Sequence, residues 1–96
     1  MTVDKTDILD KIPVHAPHIL SRIENGKAVI FDDTNGEPSL LNETGSLIWS
    51  LCNGNLSVRA VISEMAHLYE GNSSQMETEI IDFISLLSYK GIITLS

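Results

Sequence analysis

The stretch Leu41-Asn42-Glu43-Thr44-Gly45-Ser46-Leu47-Ile48-Trp49-Ser50-Leu51-Cys52-Asn53-Gly54 constrains the fold more than any other part of the chain. It reads as the end of a short strand that turns into a helix and stops at a glycine. Asn42 is the expected cap, because its side-chain oxygen can accept a hydrogen bond from a first-turn N–H. Glu43 then falls where a negative charge complements the helix dipole. Leu47, Ile48 and Leu51 make the expected apolar face. Gly54 can adopt the left-handed conformation that closes a helix. No position in this run carries reactive chemistry, so it reads as scaffold.

The rest of the chain organises around that helix. Residues 1–17 are polar or interrupted by Pro13 and Pro17. They are expected to be a flexible segment in which Ile8, Leu9 and Ile12 form one docking turn. Residues 18–96 are the expected domain. A first strand over Ile19–Glu24 and a second over Lys27–Asp32 are joined by Asn25-Gly26, a strong hairpin signal. Ala28 and Ile30 point to one face, Val29 and Phe31 to the other. Asp33-Thr34-Asn35-Gly36 is a second turn. The third strand is Glu37–Leu41, and Pro38 places it at a sheet edge because it lacks an N–H. Helices are expected over Glu43–Cys52, from Ser57 to Tyr69, and from a capping box at Ser74 and Glu77 to Tyr89. Val58, Val61, Ile62, Met65 and Leu68 form the buried stripe of the middle one. Gly91 ends the last, and Ile92–Leu95 is a short extended end. A three-stranded antiparallel sheet followed by three helices makes an α+β domain of winged-helix type.

The ordered residues Leu41, Asn42, Gly45, Ile48, Trp49, Leu51 and Gly54 resemble the pattern of the PqqD-like family. So do Val58, Val61 and Ile62, and then Ile80, Phe83, Ile84, Leu87, Gly91, Ile92 and Ile93. The resemblance spans roughly residues 18–95. These are the peptide recognition elements of ribosomally synthesised peptide modification, including pyrroloquinoline quinone biosynthesis. The resemblance implies a non-catalytic adaptor that captures the leader of a precursor peptide. It would present that leader to a maturation enzyme such as a radical S-adenosylmethionine enzyme. In that family the leader lies between the third strand and the third helix. Carried over here, the peptide-binding residues are Glu37, Ser39, Leu40 and Leu41 on the strand. On the helix they are Met76, Glu79, Ile80, Phe83, Leu86 and Leu87.

The residues themselves argue against other chemistry. A net charge of −7, with six Lys and Arg among thirteen acids, does not supply the positive field that nucleic-acid binding needs. His15, His18 and His67 lack the converging partners of a metal site, and Ser46, Ser50, Ser57 and Ser63 fall at caps or helix faces. No glycine-rich loop cradles a phosphate. Cys52, the one cysteine, reads as a small buried hydrophobe. No catalytic residue, metal or cofactor is therefore expected. The pattern of a signal peptide is missing, and no apolar run approaches the ~20 residues that span a bilayer. A cytoplasmic protein with no membrane partner is the expectation.

The last helix carries the functional interest. At about 100° per residue, Met76, Ile80, Phe83, Ile84 and Leu87 share one arc facing the core, with Ile81 beyond one edge and Leu86 beyond the other. An arc this wide suits either a helix buried on two sides or a helix with one side in the core and one side lining a groove, and the family resemblance favours the groove. An edge strand offers unpaired backbone groups to an extended peptide. The alternatives are a winged-helix DNA-binding regulator and a structural subunit of a modifying enzyme. Only Arg59 and His67 on the second helix and Lys90 after the third favour the regulator. Either a monomer or a strand-exchanged dimer is compatible with an open edge.

Overall fold

The computed structural model describes residues 5–32, 38–69 and 73–96. In chain order its elements are α1 (Lys5–Ile8), β1 (Pro13–His15), β2 (Ile19–Glu24), β3 (Lys27–Asp32) and β4 (Pro38–Leu40). Then come α2 (Glu43–Leu51), α3 (Val58–Leu68), α4 (Ser73–Tyr89) and β5 (Ile93–Leu95). The α+β architecture is as the sequence implies. β2 and β3 form an antiparallel hairpin in the register Ile19↔Asp32 to Glu24↔Lys27. Asn25 and Gly26 both have positive φ, 53° and 78°, as the tight turn requires. β4 pairs with the other side of β3, with Val29 opposite Leu40 and Phe31 opposite Pro38. The sheet order β2-β3-β4 leaves β4 at an edge. Residues 33–37, which hold the expected second turn and Glu37, lie outside the described residues.

The hairpin's inner face, with Ile19, Ala28 and Ile30, is buried against α2. Asn42 caps α2 as expected, with Oδ1 accepting the Gly45 N–H at 2.7 Å. The face it buries differs from the expected one. Gly45, Ser46, Ile48 and Trp49 are inside, while Leu47 is 37% exposed and Leu51 only half-buried. Polar anchors on the sheet side turn the helix this way. Trp49 Nε1 donates to Ser21 Oγ at 3.1 Å. The Ala28 N–H donates to Ser46 Oγ at 2.7 Å, and Ser46 Oγ donates onward to the Asn42 carbonyl at 2.7 Å.

Ser57 caps α3, accepting from the Ala60 N–H. The stripe Val58, Val61 and Met65 is buried, but Leu68 is 60% exposed because the stripe ends one turn early. Helix α4 begins at Ser73, so Ser74 stands inside its first turn rather than at the cap. Its core arc holds Ile80, Ile81, Ile84 and Leu87. Ile81, expected at the margin, is 5% exposed, because α4 packs on β5 as well as on α3. The helix ends at Gly91, whose φ of 76° lets the Ile92 N–H reach back to the Leu87 carbonyl.

The sequence implies a flexible segment over residues 1–17, yet residues 8–16 pack into the domain. Ile8, Leu9, Pro13 and Ala16 are buried. β1 pairs antiparallel with β5, a second sheet that the sequence reading did not foresee. The Lys11 and Leu9 carbonyls accept the Val58 and Arg59 N–H groups, which open α3 and have no acceptor within it. Gly54 is left-handed, but its N–H donates to the Pro13 carbonyl, so it joins the N-terminal strand rather than closing α2. Cys52 closes α2 instead, donating to Ile48 and Trp49. His15 stacks on Trp49, rings 3.6 Å apart, and its Nε2–H donates to the Trp49 carbonyl at 2.8 Å.

Ser46→Ala removes the acceptor of a backbone N–H on the fully buried Ala28. It is expected to cost about 1–3 kcal/mol. Urea denaturation checks this, and an unchanged midpoint would show that the Ala28 amide finds another partner.

Candidate functional site

Helix α4 has two working sides. One is the core arc. On the other flank Gln75, Glu79, Phe83 and Leu86 recur at intervals of four, four and three residues, which places them in a row. Glu79 and Gln75 are tied by a hydrogen bond from Nε2 to Oε1 at 3.2 Å. Phe83 is half-buried and Leu86 is 48% exposed. Leu87, which the family resemblance names with Glu79, Phe83 and Leu86, is buried on the core side, as its place in the helix arc implies.

The strand and this flank converge at Gly45. A Cβ built on Gly45 would lie 3.2 Å from Phe83 Cζ, 3.6 Å from Leu41 Cβ and 3.1 Å from Asn42 Oδ1. The absence of a side chain in the first turn of α2 therefore gives the Phe83 ring its seat. It also brings the end of β4 next to α4. Leu41 is half-buried and packs against the core, whereas Leu40, one residue earlier, points to the outer face and is 66% exposed.

Beyond Gly45 lies a cleft of about 420 Å³ between the start of α2, the end of α3 and the first half of α4. Buried Ile48, Met65 and Ile80 line its interior, with half-buried Met76 and Phe83 beside them. Exposed Thr44, Gln75 and Glu79 give it a polar rim. The surface is apolar and adaptable, since methionine fits varied shapes. Of the residues named from sequence, Met76, Glu79, Ile80 and Phe83 meet in this cleft. Ser39, Leu40 and Leu41 lie along the strand leading to it, Leu86 continues the α4 flank, and Glu37 is outside the described residues. The contributions of α2 and α3, through Thr44, Gly45, Met65 and Tyr69, were missed. Tyr69 ending the α3 pattern and Gly45 inside a helix were the signals available.

The chain matches the family Coenzyme PQQ synthesis protein D (PqqD) over residues 27–93. It belongs to the PqqD family. The match begins at β3 and leaves out β2, which pairs along the whole length of β3 all the same. Two solved structures share the fold. One is TbiB1 in complex with the TbiA(beta) leader peptide, with TM-score 0.78 and 20% identity, over 84% of this chain and 94% of that one. The other is lasso peptide synthetase B1 complexed with the leader peptide, with TM-score 0.76 and 23% identity, over 85% and 96%. Among curated proteins none matches in sequence.

Burial pushes the Cys52 thiol up to about 12. The thiol therefore stays protonated in the folded state through neutral and mildly alkaline pH. The raised value also means that stability is held below the ordinary thiol range near pH 9 and falls as pH climbs from there towards 12. Among the described residues no helix is long and apolar enough to cross a membrane.

Two outcomes follow from this geometry. Gly45→Ala should cost about 1–2 kcal/mol by crowding Phe83. The penalty should shrink in a Phe83→Leu background, and equal penalties in a double-mutant cycle would deny the contact. Cys52 should resist iodoacetamide at pH 8 in the native state and react on unfolding, and labelling of the folded protein within minutes would place the thiol at the surface.

Proposed function

We propose that this chain is a non-catalytic adaptor that captures the leader of a ribosomally synthesised precursor peptide. It presents the peptide to a maturation enzyme, such as a radical S-adenosylmethionine enzyme or a leader protease, in the cytoplasm where the precursor is made. The observation that carries this reading is the open edge of β4 running to the meeting of Leu41 and Phe83 at Gly45, beside an apolar cleft. An edge strand supplies unpaired backbone groups, and an extended peptide completes them whatever its side chains. The wall of α4 and the cleft then select among sequences by taking apolar side chains. Family membership and the likeness to two proteins solved with leader peptides support the same reading.

Such a site needs no catalytic group. Tethering the leader raises the effective concentration of the core peptide at the enzyme, which turns a bimolecular encounter into a near-intramolecular one. The peptide and a second copy of the chain would compete for the same edge, so peptide binding favours the monomer.

The test is an isotope-edited NMR titration with the leader of a precursor encoded beside this chain. Amide shifts should concentrate in residues 38–45 and 75–87. Leu86→Glu should weaken binding about tenfold or more while leaving the spectrum of the core intact, since Leu86 sits outside the core arc. Shifts confined to residues 5–17 or to the start of α3 would sink the groove, even if the peptide bound.

A further inference from the structure

The backbone of β4 contains more information than its position at an edge. The Leu41 N–H donates to the Ala28 carbonyl at 2.9 Å, so the backbone of Leu41 is directed at β3. Strand backbone groups alternate in direction. Ser39, opposite Ile30, therefore also faces β3, while Pro38 and Leu40 present their backbone groups to the open side. Pro38 has no N–H. Of the three residues of β4, then, Leu40 alone presents an outward donor, with outward carbonyls at Leu40 and Pro38.

Resting on the adaptor reading, we infer that Leu40 is the single two-bond backbone anchor for the bound peptide, and that this anchor makes the peptide legible on both faces. Consider a strand added antiparallel to β4, the orientation of every pair in this sheet. One peptide residue faces Leu40 and exchanges both hydrogen bonds with it. The residue two further on faces Pro38, donates its N–H to the Pro38 carbonyl, and finds no donor for its own carbonyl. The peptide residues on either side of the anchor direct their backbone groups away from β4. A proline or an N-methyl group is tolerated there and is excluded at the anchor itself.

Side chains follow the same alternation. The neighbours of the anchor residue project to the inner side, the side of Leu41, Phe83 and the cleft. The anchor residue projects to the outer face, beside exposed Leu40. There it extends a cross-strand row that already runs Arg22, Val29, Leu40. Val29 is buried although it lies on the outer face, and Arg22 is held over the Phe31 ring at 5.3 Å and bonded to Glu24 at 2.8 Å. The outer face is thus an ordered and largely apolar surface next to the vacant strand position. It selects an apolar side chain at the anchor, a preference separate from the one exerted by the cleft.

The experiment uses the full chain and a linear peptide selected against it from a random display library. The titration above must first place that peptide at residues 38–45 and 75–87. An N-methyl scan of the peptide should then show losses of about tenfold or more at two positions two residues apart, with the position between them tolerant. Leu40→Pro, which deletes the outward donor and leaves the β3 ladder its bonds, should lose about tenfold. Leu40→Ala should lose only about two- to fivefold, and only for peptides with an apolar anchor residue. The Ala28 and Leu41 amide shifts report whether the Leu40→Pro sheet is intact. If it is not, the N-methyl scan decides alone. A flat scan, losses at consecutive positions, or equal effects of Leu40→Pro and Leu40→Ala in an intact sheet overturn the anchor while the adaptor reading stands. A peptide that binds elsewhere, or a library that yields no binder, overturns both.

Discussion

The hydroxyl of Ser46 is the interaction on which the rest of this structure depends. It is the buried polar side chain among the described residues, and it occupies the place in the β3–β4 ladder where a strand carbonyl would ordinarily accept the Ala28 N–H. By donating its own O–H to the Asn42 carbonyl it ties the end of the hairpin to the first turn of α2. A hydrogen bond of this kind adds little net stability while it is made and costs far more if one partner is left unpaired in the interior. The sheet and the helices are therefore not free to slide over one another. Trp49 reinforces the lock through Ser21 on the outer strand of the hairpin and by stacking with His15.

Fixing α2 against the sheet has consequences for the site. With Ser46 and Trp49 turned towards the strands, Gly45 is brought under the end of β4, and its missing side chain admits the Phe83 ring. The open edge and the α4 flank thus meet because α2 acts as the hinge pin between them. The ladder ends where α2 begins, and Pro38 withholds a donor from the edge. A short edge with one outward donor is poorly suited to pairing with copies of itself, which is one way natural sheets limit aggregation. It remains suited to a partner whose side chains also fit the neighbouring cleft.

Helix α4 shows how one amphipathic pattern serves two purposes. Its core arc is rotated towards Ile81 because the helix packs on β5 as well as on α3. The rotation carries Met76 and Phe83 out of the centre of the core and into the wall of the cleft.

Local rules were enough for much of this. The bounds of β2 and β3, the Asn25-Gly26 turn, the caps Asn42 and Ser57, the stop at Gly91 and the edge position of β4 all follow from propensities and hydrogen-bonding capacity acting within a few residues. Of the residues named from the family resemblance, Met76, Glu79, Ile80 and Phe83 line one cleft. What the tertiary structure alone decided is which side of each helix the core would claim. The exposure of Leu47 and Leu68, the burial of Ile81 and the packing of residues 8–16 all depend on partners far away in the chain. The β1–β5 sheet joins the two ends of the chain, and no local signal in three-residue strands announces such a pairing. The cleft depends on α2, α3 and α4 at once. Helical periodicity tells which residues share a face, whereas only packing tells which neighbour that face will meet.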